Sequence, residues 1–506
     1  MTREIACNHR DVRRRTNERL FLCAAAFAVV SAAGCFSVRQ NTVNQIDFVN
    51  ELAVPPLAVS RLDQSGRRVF ELQARKGHKE FQPGLRTTTW GINGDHLGPT
   101  LRAARGETVI INVFNRLDEP TTMHWHGMHL PARMDGGPHQ PIASGRTWSP
   151  RWTVDQPAAT LWYHPHPHGA TERHIYRGLA GMFIIDDESS RSIGLPTEYG
   201  INDIPVIVQD VAFDEHGQLD RRTPWPNQVG FLGDTILVNG TIAPYLDVVD
   251  DRIRLRLLNA STARVYDFGF ADDRTFFLVA TDGGLLSAPY ETTRIMLSPG
   301  ERAEIVVTVD PSTRTVLRSY PPSLGSDFAN NRFSGGSDAF DIVELRTASE
   351  LRASSAVPAK LADAPSTSSS EAVHTRRFDV KAATINGQAM DMGRIDAVVD
   401  AGTVEIWEVT GISIPHNFHV HGVQFQVLDI DGSPPPPPLQ GWKDTVYLMP
   451  DVTTRIIIRF PDNADPKSPY MYHCHLLRHE DGGAMGQFVL VGPGHRGGAP
   501  TLTHER

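Results

Sequence analysis

Histidines at two-residue spacing are the pattern in this sequence that most clearly indicates chemistry. Fourteen of the 21 histidines lie in two windows, His124 to His174 and His416 to His479. Residues i and i+2 of a strand share a face, so each His-x-His pair presents two imidazoles together. Such clusters repel when protonated and lose hydration when buried, which favours a metal site over a structural role. The four pairs are His124/His126, His164/His166, His419/His421 and His473/His475.

Cys474 is the only cysteine beyond the N-terminal segment, so it cannot form an internal disulfide. Strand alternation sends its thiol to one face and the flanking His473 and His475 to the other. One thiolate could then bind one metal while its neighbours bind a second metal group. A thiolate with two histidines is typical of blue copper, and His416 and His479 complete that set. Zinc is the alternative for any histidine cluster, but it has no use for a thiolate joined to a second metal group.

Three internal repeats must position these residues. Asn-Gly pairs at Asn93, Asn239 and Asn386 are 146 and 147 residues apart, and each leads to a strand of alternating character. The predicted strands are Glu107 to Asn115, Asp251 to Asn259 and Gly402 to Gly411. We therefore expect three related β-sandwiches. The histidine clusters lie in repeats one and three, whereas the matching stretch of repeat two, Arg264 to Phe270, has no histidine.

Composition agrees with a large β-rich protein. The 506 residues are 40% hydrophobic and 21% charged, with Gly 42 and Pro 36, which excludes a disordered chain. The net charge of -9 argues against nucleic-acid binding. The expected domains are residues 45–187, 202–347 and 373–494, with a Ser/Ala/Pro-rich linker at 353–372.

Residues 1–35 are typical of an export signal, with arginines followed by the apolar run Leu20 to Gly34. The run ends in Ala32-Ala33-Gly34-Cys35, which resembles a lipoprotein cleavage box. Cleavage there would leave a lipidated Cys35 as a membrane anchor. Ala32 stands where such boxes usually carry Leu, so a plain signal peptide is the alternative. Both predict a protein of the periplasm or cell envelope.

The motifs as a set resemble the multicopper oxidases of three domains, the laccases, cuprous oxidases and bilirubin oxidases. The family's order is kept along essentially the whole mature chain by HWHG, WYHPHPHG, PHNFHVHG and HCHLLRHED. The resemblance implies an all-β fold of three cupredoxin-like (plastocyanin-like) Greek-key sandwiches. It also implies four copper ions, namely one type 1, one type 2 and a binuclear type 3 pair.

The resemblance also implies which side chains bind each copper. Type 1 copper would take His416, Cys474 and His479, and type 2 copper would take His124 and His419. The type 3 pair would take His126, His164, His166, His421, His473 and His475.

Three carboxylates are candidates for roles beside the coppers. Glu480 resembles the family's proton-donating acid, and Asp135 the acid beside the type 2 water channel; the alternatives are a solvated carboxylate and a turn residue. Asp444 is interpreted as a partner that orients a type 1 histidine. His168 matches no ligand of the family and is interpreted as an outer partner or a solvent-facing residue.

The axial position of type 1 copper departs from the family. It lies ten residues after the cysteine, where Met, Leu or Phe is usual, and Ala484 is found there with Met485 next. Alanine cannot bind metal, and adjacent strand residues point in opposite directions. We therefore expect a type 1 site without a methionine ligand.

The implied function is a laccase-like oxidoreductase. A small donor would reduce type 1 copper through an exposed histidine edge, and four electrons would pass by way of Cys474 to reduce O2 to two waters at the trinuclear cluster. Phenols, aromatic amines, Mn(II), Fe(II) and Cu(I) are all candidate donors, and we expect a monomer. A copper nitrite reductase is a weaker alternative, because it does not need eight further histidines. The non-enzymatic alternative is a copper-binding envelope protein for tolerance, storage or scaffolding, with little oxidase activity.

Overall fold

The computed structural model describes residues 39–222, 228–365, 367–492 and 494–500. The expected signal sequence and Cys35 lie outside the described residues. Six sheets pair into three sandwiches, which confirms the all-β prediction. Among the described residues, no helix is both long enough and apolar enough to cross a membrane.

The first sandwich packs two sheets around a core that includes Phe70, Ile111, Leu161 and Phe183. One sheet contains Ser60–Leu62, Arg68–Gln82, Leu85–Ile92, Thr108–Asn115, Thr147–Trp148 and Arg151–Thr153. The other contains Leu101–Ala104, His124–His126, Ala159–His164 and Gly181–Asp186. His124–His126 is the edge strand of this second sheet, so a histidine pair lies at the rim of the sandwich.

The middle sandwich has the larger sheets, and its core includes Leu255, Tyr266, Phe268 and Ile305. One sheet contains Asp203–Val211, Thr235–Val238, Thr241–Ile242, Arg252–Asn259, Phe276–Thr281, Gly284–Thr292 and Arg302–Thr308. The other contains Asn50–Glu51, Pro244–Asp250, Tyr266–Phe270, Ile295–Leu297, Arg314–Tyr320 and Phe340–Arg352. Asn50–Glu51, inside the expected first domain, pairs with Pro244–Asp250 and ties the first two regions together.

The third sandwich contains the strand that leads to Cys474, and its core includes Trp407, Phe418 and Phe488. One sheet contains Ala372–Lys381, Thr384–Ile385, Val404–Gly411, Phe425–Ile430 and Thr453–Arg459. The other contains Ala397–Asp400, His416–Val420, Thr445–Leu448, Asp465–His473 and Met485–Val491. The expected domain boundaries stay predictions.

Helices are short and lie in connections. The α-helices are Thr171–Tyr176, Glu188–Ser192, Phe328–Phe333 and Leu477–Asp481. The 3-10 helices are Ala132–Met134, Ser369–Glu371 and Pro437–Leu439. Two of these connections carry candidate site residues, since His479 and Glu480 are in Leu477–Asp481 and Asp135 ends Ala132–Met134.

The three Asn-Gly pairs have one structural cause. Each asparagine has a positive φ of 51° to 58°, a conformation that Asn tolerates better than most residues. The side chain of Asn93 accepts the backbone N–H of Gln73 at 2.7 Å and donates to the carbonyl of Glu71 at 2.7 Å. Asn239 and Asn386 make the same two bonds within their own repeats at 2.8 to 2.9 Å. The sequence repeat is therefore a repeated turn clamp.

Candidate metal centre

His416, Cys474 and His479 form a compact buried triad in the third sandwich. The Sγ of Cys474 lies 3.4 Å from Nδ1 of His416 and 3.5 Å from Nδ1 of His479, and the two Nδ1 atoms are 3.1 Å apart. His416 starts the strand His416–Val420, whereas His479 comes from the helix Leu477–Asp481. One atom of each residue converges on a single point, as one metal ion requires.

The protein environment alone does not favour a thiolate at Cys474. Burial raises the pKa of Cys474 to about 12, although backbone N–H groups of Asn417 and Leu476 oppose the rise. Burial, and then the neighbouring His479, holds the pKa of His416 well below its usual range. A cation in the triad would supply the missing stabilisation of the thiolate, because metal binding requires a deprotonated thiol and neutral imidazoles.

Neither triad histidine has an exposed edge, which corrects the expectation for donor access. His416 is 0% exposed and His479 is 1% exposed. The physical reason is Gln228, which lies between the middle-sandwich strands Asp203–Val211 and Thr235–Val238: Nε2 of His479 donates to its carbonyl oxygen at 2.8 Å. Electrons entering at His479 would therefore have to cross this covering backbone.

His124 and His419 face each other across the first and third sandwiches. The Nδ1 of His124 donates to the carbonyl of Asp135 at 3.0 Å, and that of His419 donates to the carbonyl of Asp444 at 2.8 Å. These bonds place the proton on Nδ1 and leave both Nε2 atoms free of hydrogen bonds among the described residues. The rings of His124 and His421 stack with their centroids 3.8 Å apart, which joins the pair to the rest of the cluster.

The other six histidines surround this pair. The Nε2 of His473 lies 3.1 Å from Nε2 of both His166 and His421, and Nδ1 of His126 lies 3.4 Å from Nε2 of His164. Imidazole nitrogens at these distances would repel each other through their lone pairs unless they shared a cation or a proton. His475 joins through ring contacts, 5.1 Å from His126 between centroids.

Burial favours the neutral, metal-binding form of several imidazoles of the cluster. Burial, followed by repulsion from neighbouring imidazoles, holds the pKa values of His164, His419 and His421 well below the usual range. The eight histidines thus form a large buried group of nitrogen donors. This donor set suits copper, and the triad of one cysteine and two histidines next to it matches the ligand set of blue copper.

Glu480 and Asp135, the two expected catalytic acids, are both buried against the histidines. Glu480 lies 3.2 Å from Nδ1 of His473 and 3.4 Å from Nδ1 of His166. Burial opposes its ionisation, but His166 and His473 more than offset burial, so the pKa of Glu480 lies well below its usual range. Asp135 accepts Nδ1–H of His421 at 2.8 Å. The turn that follows Asp135 requires glycine, because a Cβ at Gly136 would lie 1.7 Å from the carbonyl oxygen of Met123.

Asp444 does not orient a type 1 histidine, so that interpretation was wrong. Its side chain instead accepts Nε2–H of His126 at 3.0 Å. The physical reason is its position just before the strand Thr445–Leu448, in which Thr445 pairs with His419 and Leu448, at the far end, pairs with His416. His168 is exposed to solvent, which agrees with one of its two interpretations.

The strand register separates Met485 from the thiol. Met485 pairs across the sheet with His473, and paired residues share a face. Ala484 instead packs in the core cluster that contains Cys474. The geometry agrees with a site lacking a methionine ligand, which stays a prediction.

Several buried polar residues around the histidines carried no signal in the sequence. Arg302 of the middle sandwich donates to both oxygens of Asp444, at 2.7 and 2.6 Å. Asn417 accepts the backbone N–H of His475 at 2.6 Å. Arg302 lies outside every motif, and Asn417 lies within PHNFHVHG but is not a metal-ligand type, so only the three-dimensional contacts identify them.

Comparison with known proteins gives a consistent result. Three family models, each described as multicopper oxidase, match residues 73–190, 208–327 and 362–493. A multicopper oxidase mco of Staphylococcus haemolyticus is 36% identical over 89% of this chain and 94% of its own length. A cell division protein FtsP of Photorhabdus laumondii is 34% identical over 94% of this chain and 98% of its own length.

Solved structures agree with this result. A laccase from Pediococcus acidilactici matches with a TM-score of 0.79 and 34% identity, over 88% of this chain and 94% of that chain. A bacterial laccase-like multicopper oxidase, CueO from Ochrobactrum sp., matches with a TM-score of 0.79 and 35% identity, over 87% of this chain and 100% of that chain. The expected cupredoxin-like fold is thereby confirmed, and the chain belongs to the multicopper oxidase family of copper-dependent oxidoreductases.

Proposed function

We propose that this protein couples one-electron oxidation of a small donor to the four-electron reduction of O2 to water, using four copper ions. The observation that carries the proposal is the covalent link between the two centres. Cys474 belongs to the thiolate triad, and its neighbours His473 and His475 belong to the eight-histidine cluster. Copper, when bound, would supply reversible one-electron chemistry at the triad and the electrons for O2 at the cluster.

The ligands would divide as the motifs imply. His416, Cys474 and His479 would hold type 1 copper, and His124 and His419 type 2 copper. Two groups of histidines would hold the type 3 pair, one with His126, His164 and His475 and the other with His166, His421 and His473. Each imidazole in the two type 3 groups has a nitrogen that points at another imidazole or lacks a hydrogen bond in the described residues.

Protons must reach the cluster together with electrons, and two carboxylates are placed for this. Asp135 holds Nδ1 of His421, and Glu480 touches His166 and His473 from the other side. Both are 1% exposed, so each would exchange protons through the protein or enclosed water rather than with bulk solvent.

The donor would be a molecule that can give an electron across a covering layer of protein. The Gln228 carbonyl on His479 leaves no open coordination edge for a donor to bind. Phenols and aromatic amines fit outer-sphere transfer of this kind, and the Ochrobactrum relative is described as active towards lignin model compounds and lignosulfonate. Low-valent metal ions are the other donor class. We further propose that the protein is an exported monomer of the periplasm or cell envelope.

A second candidate is a copper-binding envelope protein with little oxidase activity. The similarity to the FtsP cell division proteins favours it, since it extends over 94% of the chain. A donor panel on copper-loaded protein separates the two candidates. We expect O2 uptake with at least one phenol, aromatic amine or low-valent metal, measured with and without added Cu(II). Four bound coppers with no uptake for any donor would favour the second candidate.

A further inference from the structure

A buried turn of the middle sandwich, residues 298–302, reaches both candidate copper centres although it contains no metal ligand. It connects the strands Ile295–Leu297 and Arg302–Thr308 and therefore joins the two sheets of its own sandwich. The carboxylate of Glu301 accepts both the backbone N–H and the hydroxyl of Ser298 at 2.7 Å. Ser298 and Arg302 are each 0% exposed. The turn is thus a buried element that is stabilised by its own hydrogen bonds.

One arm of the turn leads to the eight-histidine cluster. The Arg302 guanidinium donates twice to Asp444, and its remaining N–H groups go to backbone carbonyls of Thr160, Asp282 and Gly300 at 2.9 to 3.1 Å. All five donors are therefore used, which fixes the plane of the fork. Asp444 in turn accepts Nε2–H of His126.

The consequence for His126 is a single tautomer. A carboxylate that is itself held by a guanidinium remains an acceptor, so Nε2 of His126 keeps its proton. The other nitrogen, Nδ1, then faces His164 as a lone pair. Arg302 thus determines, through Asp444, which nitrogen of His126 is available to a metal.

The other arm leads to Cys474. The amide of Asn417 donates to the Ser298 hydroxyl at 3.1 Å and to the Pro299 carbonyl at 2.8 Å. Its oxygen accepts the backbone N–H of His475 and lies 3.7 Å from Sγ of Cys474. The turn therefore holds, through one side chain, the peptide that joins the thiol to the histidine cluster.

The centre of the turn packs on a histidine ring. A Cβ at Gly300 would lie 3.1 Å from Cγ and Cδ2 of His475, and the residue has a φ of +87°, which favours glycine. His475 has no side-chain hydrogen bond within the described residues, so its restraints are this contact, its backbone bond to Asn417 and its ring contacts with Trp162 and other histidines.

We propose that the turn at residues 298–302 is a positioning element for both copper centres, with Arg302 acting through Asp444 on His126 and Ser298 through Asn417 on the Cys474–His475 peptide. The middle sandwich thereby organises a site to which it gives no ligand. The proposal rests on the copper sites of the proposed function, but not on their turnover.

The test compares two variants with two controls. Arg302→Lys keeps the positive charge but loses the pair of hydrogen bonds from the guanidinium to Asp444. Its control is Arg256→Lys, since Arg256 is also buried and its bonds go to Asp203, Glu304 and Thr160. Asn417→Leu is matched by Asn115→Leu, because Asn115 is a buried amide that makes the same kinds of backbone bonds in the first sandwich.

The readouts are copper per protein, the electron paramagnetic resonance spectrum and the type 1 reduction potential, all measured without donor turnover. We expect Arg302→Lys to lose about 10- to 100-fold in affinity for cluster copper while the blue absorption of type 1 copper is kept. We expect Asn417→Leu to keep four coppers and to shift the type 1 potential. The two controls should match the parent in all three readouts.

Parent-like copper content, spectrum and potential in both variants would overturn the proposal, and so would equal changes in the controls. If Arg302→Lys melts below the assay temperature, the double variant Arg302→Gln/Asp444→Asn replaces it, because this variant leaves no unpaired carboxylate at position 444. It should show the same copper loss, and four tightly bound coppers in it would overturn the proposal. If the parent binds copper but takes up no O2, the proposed function fails and these comparisons still decide the role of the turn.

Discussion

The strands Tyr266–Phe270 and His416–Val420 occupy related places in the middle and third sandwiches but carry different chemistry. In both, alternate residues enter the core: Tyr266, Phe268 and Phe270 in one, Phe418 and Val420 in the other. The remaining residues face away from the core. They include Asp267 in the middle strand and His419 in the third.

This difference shows that the two sandwiches share the core-facing residues of the strand and not the residues of its opposite face. The middle sandwich forms both of its sheets although its strand carries Asp267 and Gly269 on the opposite face, where the strand of the third sandwich carries a histidine. The histidines are therefore not required by the fold, and their burial costs desolvation energy that a bound metal would offset.

The largest effect should come from Cys474. We expect Cys474→Ser to lose type 1 copper, the blue absorption and all donor oxidation, because the hydroxyl is a poor ligand for copper. The apoprotein should remain folded by circular dichroism. His168→Ala, at an exposed histidine, is the control and should behave like the parent. Donor oxidation by Cys474→Ser at parental rates would contradict the assignment.

Next in size is the removal of one cluster histidine. His421→Ala should weaken cluster copper by at least about tenfold and abolish O2 uptake, while type 1 copper and its blue colour remain. Tyr266→Phe, in the middle strand, should keep every copper and lose about 1 kcal/mol of stability with its hydrogen bond to Ser261. Copper analysis and thermal unfolding measure both. Equal copper loss in the two variants would erase the contrast between the strands.

A smaller effect is expected at Met485. Because Met485 shares a face with His473, Met485→Leu should leave the type 1 potential and copper retention unchanged, at a stability cost below about 1.5 kcal/mol. A redox titration of the blue absorption measures the potential. A marked shift would mean that the methionine reaches the copper.

The last prediction concerns stability alone, through the pH dependence of the middle strand. Burial raises the pKa of Asp267 to about 6, with Arg294 opposing the rise. The folded state then holds a proton that the unfolded state has released between about pH 4 and pH 6, so stability falls as pH rises through this window and stays lower above it. Asp267→Asn should raise stability at pH 8 by about 1 to 2 kcal/mol, allowing for screening at a partly exposed site, and by nothing at pH 4. Melting temperatures of the apoprotein at the two pH values measure this, and an equal gain at both would refute it.

Local signals made the architecture and the clustering of the histidines predictable. Asn-Gly turns and strand alternation depend on neighbouring residues, so the repeats and the His-x-His faces could be read from sequence. Asp444 was misassigned because its partner His126 is 318 residues away and the register of the strand Thr445–Leu448 decides the contact. The sequence gives no indication of the roles of Arg302, Asn417 and Gln228 for the same reason, since each of them contacts residues of another sandwich.

If both copper centres work together on O2, they fix the ratio of donor oxidised to O2 consumed. Copper-loaded protein should consume one O2 for every four one-electron donors oxidised and release no hydrogen peroxide. Cys474→Ser, with its cluster coppers in place, should consume none. A ratio of two with hydrogen peroxide as product, or no O2 uptake by protein carrying four coppers, would contradict the account.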